Sequence, residues 1–536
     1  MAGAGPRLAG PDRSVVSKMD HAPALPLEPA EYSSLAKNTL ATFLGRVCAI
    51  GLGVVLSMVL FRALQPGRYG LWSLLVLLSG YSMMFDFGLS AAVEQRVASL
   101  AASNDLAGIQ RTLNAALAVV LAAFVPLQVI GAGTAAVLGT AGAWADVAHA
   151  LIVLPACIAM TAGSMVVGSG LSGLQRMPTL HLWRSLGMTA ATAATVVLAI
   201  RGVTRLDVLL VVYAAGGPIA ATAQWLSLRG LVPGLRFAPA WNRAVIARLF
   251  RFGGVLQVAT MAPVVADYMF RLLVGARFGI AYSGVYDLAA RAGIALRSAA
   301  GALFTTMVPF GVHALKSGDR EAASRLNRLA IKYTALFMLP ATVLLFKYSG
   351  PLMHAWLGYA PVVRHVQHAF QVLLVAHAIT SLAVPAAMLG RSAARPAPEA
   401  IVTALAASLG LAGCLLAPGF VTAVVVFGLA PTLGALAISL WLSRRLGLRF
   451  GSGRDLATVA LLSAAGYLVA LATDRLLATV RISDSLLGVT GGTAAAMLVV
   501  ALLARAGGMI NERSLLWAVA GRKLPDAVES GPQSLP

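Results

Sequence analysis

The chain has 536 residues, of which 59% are hydrophobic and only 11% charged, and its mean hydropathy is +0.82. This composition excludes a soluble globular domain, because apolar runs of about 20 residues, long enough to span a bilayer, follow one another along the chain. The formal net charge of +21 does not indicate a nucleic-acid partner, since the basic residues lie mainly in the connections between these runs. The sequence therefore predicts an integral membrane protein in contact with membrane lipids.

Both ends of the chain are polar. Residues 1–33 contain five prolines and mixed charges but no apolar signal-peptide segment, which predicts a disordered cytoplasmic tail. Residues 508–536 predict a second cytoplasmic tail.

Between the tails, the apolar runs predict an all-α polytopic membrane protein of about 14 transmembrane helices. Only Ala417-Pro418-Gly419 separates two of these spans. The predicted spans lie near 38–62, 69–93, 113–138, 146–170, 180–200, 206–228, 250–274, 283–310, 329–348, 366–389, 399–417, 420–443, 456–473 and 485–505.

The distribution of Lys and Arg predicts the orientation. Alternate connections carry 28 basic residues on the side of the termini and 9 on the other side, which places both termini in the cytoplasm by the positive-inside rule. The remaining four of the 41 lie within predicted spans: Arg46, Arg271, Arg291 and Arg297.

The longest connection divides the spans into blocks. Residues 229–249 are basic and carry Trp241, so we expect this linker on the cytoplasmic membrane surface. It separates a six-helix N-lobe (34–228) from a six-helix C-lobe (250–443), which two additional helices (444–507) follow.

The most informative stretch begins at the turn Pro66-Gly67-Arg68-Tyr69-Gly70, which Trp72 follows. Aromatic residues beside a turn are typical of a chain that leaves and re-enters the hydrocarbon layer. Asp86 then lies inside an apolar run, where an ionised side chain costs several kcal/mol unless it faces protein or a wet cavity. A similar turn recurs 214 residues later, with Gly284 aligned to Gly70 and Tyr286 to Trp72. Repeated halves around a central site are typical of transporters.

Several of these segments resemble a known family, the Wzx-type polysaccharide or O-antigen flippases of the multidrug/oligosaccharidyl-lipid/polysaccharide (MOP) exporter superfamily. The resemblance covers about residues 33–360 and extends to the last spans by hydropathy only. The family commonly has Leu-Gly before Pro66, where this chain has Leu64-Gln65. The segments are Lys37-Asn38, 64–72, Phe85-Asp86-Phe87-Gly88-Leu89, Phe250-Arg251-Phe252-Gly253, Asp267, 284–289, Pro309 and Trp356-Leu357-Gly358.

The resemblance implies two six-helix lobes and two further helices around a central cavity, alternating access between the two sides of the inner membrane, and a polyprenyl-diphosphate-linked glycan as cargo. It implies a transporter rather than an enzyme, and no cofactor. We expect a monomer, with glycan polymerase and assembly proteins as candidate partners.

Charged residues inside the spans are the candidate site. At 1.5 Å per residue, Arg46 and Asp86 lie at similar depths, as do Asp267 and Arg291. Asp267 with Arg271, and Asp287 with Arg291, stand one helical turn apart.

We hypothesise that the arginines line the cavity and bind the diphosphate, for which the guanidinium is suited, and that the aspartates balance charge or accept a coupling proton. The structural alternative is that Arg46 and Asp86 join two helices and that Arg271 extends to the outer surface. The candidate residues are Arg46, Arg271, Arg291 and Arg297 for substrate binding, and Asp86, Asp267 and Asp287 for charge balance or proton coupling.

The other features favour structural roles. Gly70, Gly88 and Gly284 fit close helix packing better than hinges. His377 fits an ordinary interface residue better than a proton relay, and the three cysteines have no partner at metal-ligand spacing, so we expect no metal site. No catalytic motif stands in a usable context.

Three other functions stay open. A peptidoglycan-precursor flippase or a multidrug antiporter belongs to the same superfamily. A membrane glycosyltransferase or polysaccharide polymerase belongs to another class, which the short outer connections disfavour. A non-transporting scaffold of a glycan assembly complex is the third alternative.

Overall fold

The structure is a computed structural model that describes residues 29–80, 88–139, 145–302, 320–358, 361–392, 397–448, 453–478 and 486–509. In some helical stretches, including 29–50 and 251–263, only the backbone is described. The chain divides into two units, Met1–Ala41 and Thr42–Pro536. The described residues of the first unit, 29–41, are helical, and all contacts below lie within the second unit.

The described residues form sixteen α-helices and no strands. In chain order they are α1 (Pro29–Gly80), α2 (Leu89–Ala102), α3 (Leu106–Leu138), α4 (Ala145–Gly173), α5 (Met177–Ile200), α6 (Leu206–Ala214), α7 (Gly216–Leu231), α8 (Arg243–Phe278), α9 (Ile280–Ala302), α10 (Arg320–Lys347), α11 (Ser349–Leu357), α12 (Val363–Ser392), α13 (Ala397–Leu416), α14 (Phe420–Leu446), α15 (Gly453–Ala478) and α16 (Leu486–Ala506).

The described part of each predicted span lies in one or two of these helices, whereas residues 81–87 and 303–310 of the spans at 69–93 and 283–310 lie outside the described residues. Among the described residues, nine helical segments are long and apolar enough to cross a membrane, and α16 adds a shorter apolar segment, Gly491–Ala506. The chain is therefore an all-helical, multi-pass membrane protein, as predicted. The two spans around Pro418 are separate helices, α13 and α14.

Two details differ from a simple series of spans. The span predicted at 206–228 consists of α6 and α7, which meet at Ala215. The short α11, which lies between α10 and α12, was not among the predicted helices.

Two of the apolar cores in the second unit bear on the sites described below. The larger core joins α1, α4, α5, α6, α8, α9, α11, α12, α13 and α14, so that it contains residues from both predicted six-helix blocks. The smaller core joins α2, α3, α4, α7 and the start of α8. Many other large apolar side chains are exposed, as expected where helices face lipid.

The larger core contains a close crossing of α1 and α9 at the two glycines that the internal repeat aligned. A Cβ at Gly70 would lie 2.1 Å from the carbonyl oxygen of Ile280, and a Cβ at Gly284 would lie 2.9 Å from Cδ1 of Tyr69. The packing interpretation of these two glycines is thus confirmed, because only glycine permits this approach.

The predicted turn before Tyr69 is an interruption of α1 at one residue. Gln65 has φ 65° and ψ 159°, and the chain is helical on both sides of it. This backbone conformation is populated almost only by glycine. Gln65 therefore carries backbone strain of about 1 to 3 kcal/mol that a glycine, the common residue here in the family that the sequence resembles, would avoid.

Candidate functional site

Four charged residues of α8 and α9 form an ion-pair cluster, consisting of Asp267, Arg271, Asp287 and Arg291. Within α8, Arg271 Nε donates to Asp267 Oδ2 at 3.1 Å, and within α9, Arg291 Nε donates to Asp287 Oδ2 at 2.7 Å. Both i,i+4 pairs expected from the sequence are present. Arg271 Nη1 joins the two helices by donating to Asp287 Oδ1 at 2.5 Å.

Asp287 is the centre of this arrangement because it accepts from three helices. Besides Arg271 and Arg291, the hydroxyl of Tyr69 on α1 donates to its Oδ2 at 3.0 Å. The close crossing of α1 and α9 brings the two groups together, since Tyr69 immediately precedes Gly70. A carboxylate with three donors, two of them cationic, is stabilised in its ionised form despite burial.

Aromatic side chains surround Arg271. The Tyr286 hydroxyl donates to Asp267 Oδ1 at 3.0 Å, and the Arg271 guanidinium lies 5.3 Å from the centroid of the Tyr286 ring. Phe270 stacks on Phe427 of α14 with ring centroids 4.0 Å apart. This apolar wall lowers the local dielectric and strengthens the charge pairs inside it.

Exposure divides the cluster into an interior and an edge. The side chains of Arg271 and Asp287 are 5% and 3% exposed, whereas those of Arg291 and Asp267 are 31% and 22% exposed. Arg271 is therefore buried against two carboxylates and does not extend to the surface. Arg291 and Asp267 are the members that a ligand can reach.

His377 of α12 packs on Gly293 of α9. A Cβ added at Gly293 would lie 2.6 Å from Cδ2 of His377. The imidazole is close enough to Arg297 and Asp267 to interact with both electrostatically. The sequence indicated only an interface role for His377, because its proximity to α9 depends on how α12 packs.

The other candidate pair lies outside the described residues. Asp86 falls in the segment 81–87, and of Arg46 only the backbone within α1 is described. Their predicted pairing stays a prediction.

Basic residues that the sequence placed on the outer side contact protein acceptors. Arg62 donates to the carbonyls of Ala355 and Trp356 at the end of α11, and Arg277 donates to those of Cys414 and Ala417 at the end of α13. Cations are favourable at the carbonyl end of a helix. In addition, Arg68 pairs with Asp146, and Lys347 pairs with Asp474.

Sequence reasoning missed these outer contacts. Asp474 accepts from both Lys347 and the Tyr348 hydroxyl, and Trp356 Nε1 donates to the Val54 carbonyl at 3.1 Å. The partners lie far apart along the chain, so helix periodicity carries no signal for them. The one indication of this region in the sequence was Trp356, which belongs to a segment that resembles the family.

The fold is similar to that of solved transporters of the MOP superfamily. An inward-facing multidrug resistance MATE transporter of the MOP superfamily aligns with a TM-score of 0.62 and 14% identity over 76% of this chain and 98% of that chain. The lipid II flippase MurJ in an inward closed conformation aligns with a TM-score of 0.62 and 13% identity over 90% of this chain and 100% of that chain. At these identities the likeness concerns the fold alone.

The particular family follows from the sequence. Residues 59–360 match the family described as polysaccharide biosynthesis protein, and the chain belongs to that family. The match includes both the interruption of α1 and the whole ion-pair cluster. The resemblance to the polysaccharide branch of the MOP superfamily is confirmed. No curated protein sequence matches the chain.

Proposed function

We propose that this protein is a flippase that moves an undecaprenyl-diphosphate-linked oligosaccharide, the repeat unit of an O-antigen, capsule or exopolysaccharide, across the bacterial inner membrane by alternating access. The observation that carries the proposal is the match to a polysaccharide biosynthesis family over residues 59–360 in a chain with the MOP transporter fold. Both termini would lie in the cytoplasm, in keeping with the distribution of basic residues.

Arg291 is the member of the cluster best suited to meet the diphosphate. Among the described residues it donates to Asp287 through Nε, and 31% of its side chain is exposed, so its two Nη groups can donate to phosphate oxygens. Arg271 keeps its own hydrogen bond to Asp287 and so balances the charge of this carboxylate when Arg291 binds the cargo. Arg297 lies further along α9 and would extend the cationic path, with Arg46 on α1.

The carboxylates have a different task. A diphosphate brings negative charge into a space that already holds Asp267 and Asp287, so protonation of the accessible Asp267 would lower the repulsion. This makes Asp267 the first candidate for a coupling proton, with Asp287 and Asp86 as the alternatives.

The contacts of α1 would act as an outer latch. Tyr69 with Asp287, Gly70 with Gly284, and Arg62 with the end of α11 all join the two six-helix blocks near the predicted outer turn. Alternating access requires these contacts to part when the cargo leaves on that side.

A strain that lacks this protein tests the function directly. We expect it to accumulate lipid-linked oligosaccharide on the cytoplasmic leaflet, detected by mass spectrometry of extracted lipids after enzymatic labelling of accessible glycans. Reintroduction of the unchanged chain should restore export. Normal export with no accumulated lipid would contradict the proposal.

The alternatives give different results with purified protein. Binding of organic cations but not of polyprenyl diphosphates would favour a multidrug antiporter, and preference for a peptidoglycan precursor would favour that branch. Glycosyl transfer by the purified chain would indicate an enzyme.

A further inference from the structure

A second cationic feature lies away from the ion-pair cluster, in a cavity of about 530 Å³ between α2, α3 and the start of α8. Three arginines, one from each helix, line it: Arg96, Arg111 and Arg248. We call this the arginine pocket. Its volume is within the range of about 300 to 1,000 Å³ that small ligands occupy in proteins.

The pocket carries a net positive charge. Asp105 is the one carboxylate among its lining residues, and it lies 3.9 Å from Arg111 Nη2. No ion pair joins Arg96 or Arg248 to another described side chain. Three guanidinium groups against one carboxylate favour an anion in the space between them.

Two helix starts add to this charge. α3 begins behind Asp105, whose Oδ1 accepts from the Gly108 N–H at 2.7 Å, and α8 begins behind Asn242, whose Oδ1 accepts from the Val245 N–H at 3.1 Å. Each helix start carries a partial positive charge. The partial charges at both helix starts thus have the same positive sign as the arginines.

The linker before α8 is fixed to α3. The buried Asn114 of α3 donates through Nδ2 to the Arg236 carbonyl at 3.1 Å and accepts from the Ala238 N–H at 3.2 Å. Beneath the pocket, Ile109 and Leu113 pack with Ile246 and Leu249 in the smaller apolar core. These contacts hold Arg248 opposite Arg96 and Arg111 in a built cavity.

Two features of the surroundings favour a position of the pocket at the level of lipid headgroups. Asp105 and Arg111 stand at the start of α3, a candidate membrane span. The connection to α8 exposes two aromatic side chains, Phe237 at 62% and Trp241 at 64%. Exposed aromatic residues beside basic ones are typical of the membrane interface.

We propose that the arginine pocket binds the phosphate group of an anionic membrane lipid. The guanidinium groups contact the phosphate oxygens in pairs, and Phe237 and Trp241 contact the adjoining glycerol and acyl region. This site is separate from the ion-pair cluster and does not depend on the cargo of the transporter.

Native mass spectrometry of the full chain in detergent tests the proposal with three probes: phosphatidylglycerol, phosphatidylcholine and inorganic pyrophosphate. We expect phosphatidylglycerol to bind about tenfold more tightly than phosphatidylcholine, and the double variant Arg96→Gln/Arg248→Gln to lose about tenfold in affinity for phosphatidylglycerol, as expected for loss of charge-assisted hydrogen bonds. Inorganic pyrophosphate at millimolar concentration should displace the lipid.

Arg243→Gln is the matched control, because Arg243 is exposed on the same helix but does not line the pocket. It should leave the affinity unchanged within about twofold if pocket geometry rather than total charge decides binding. Arg248→Lys keeps the charge but loses the paired N–H groups, and should weaken binding severalfold even if the double variant fails to fold. Equal binding by the unchanged chain and the Arg248 variants, equal loss in Arg243→Gln, or binding of pyrophosphate without phosphatidylglycerol would overturn the proposal.

Discussion

The ion-pair cluster and the arginine pocket use the same side chain in opposite surroundings. In the cluster, Arg271 is almost fully buried and donates to two carboxylates, so that the four charges balance inside an apolar wall. In the pocket, Arg96 and Arg248 face an open cavity that contains one carboxylate for three arginines. Arg271 is buried and joins two helices, whereas the arginines with open space before them are the ones that we assign to a ligand. Arg291 lies between these extremes, which is why we assign it to the cargo.

We expect the largest loss of stability from a substitution at Asp287. Asp287→Ala leaves Arg271 and Tyr69 without a shared acceptor, and we expect a loss of about 3 to 5 kcal/mol of stability, as for other buried pairs broken on one side. Thermal unfolding in detergent measures this as a large fall in the midpoint. Asp207→Ala is the control, because its partner Arg205 is 65% exposed, and it should change the midpoint little. Equal effects of the two substitutions would contradict the division between buried and exposed pairs.

A second substitution separates the helices that hold the cluster. Gly70→Ala places a Cβ against the Ile280 carbonyl, and we expect a loss of about 1 to 3 kcal/mol as α1 and α9 move apart. Gly67→Ala is the matched control on the same helix, since no heavy atom lies within 4 Å of its added Cβ. If both variants unfold at the same temperature, the crossing at Gly70 is not under steric constraint.

A smaller, stabilising effect is expected at the interruption of α1. Gln65→Gly removes the strain of the φ 65° conformation, and the gain should be about 1 kcal/mol after the greater freedom of glycine in the unfolded chain is subtracted. Gln65→Ala keeps a Cβ and therefore the strain, so its midpoint should not rise. A rise in Gln65→Ala equal to that in Gln65→Gly would argue against a backbone cause.

The smallest effect on stability is expected in the arginine pocket. Arg96→Gln/Arg248→Gln removes two cations that form no ion pair with a described carboxylate. Without added lipid, the free energy of unfolding should therefore change by no more than about 0.5 kcal/mol. A loss as large as that of Asp287→Ala would mean that these arginines also hold the fold together. The same unfolding measurement serves for both regions, which makes the comparison direct.

Much of this picture could be predicted from the sequence. Run length and hydropathy predict the spans, and the 3.6-residue period predicts the pairs Asp267 with Arg271 and Asp287 with Arg291. The repeat aligned Gly70 with Gly284, although alignment alone gives no reason for the two to touch.

The remainder depends on how helices pack. The contacts between Tyr69 and Asp287, and between Lys347 and Asp474, join residues more than 100 positions apart, for which local pattern carries no information. Arg96, Arg111 and Arg248 contributed to the positive-inside count as separate loop charges. They line one cavity because α2, α3 and the start of α8 pack together in the smaller apolar core.

Transport by Arg291 variants tests the central claim most directly. In proteoliposomes that contain a fluorescent polyprenyl-diphosphate-linked oligosaccharide, we expect Arg291→Gln to abolish translocation, Arg291→Lys to retain part of it, and the exposed control Arg205→Gln to behave as the unchanged chain. The amount of folded protein in each preparation is equalised by size-exclusion chromatography, and Asp287 keeps Arg271 and Tyr69 as donors in the Arg291 variants. Full translocation by folded Arg291→Gln would contradict the assignment of the ion-pair cluster to the cargo.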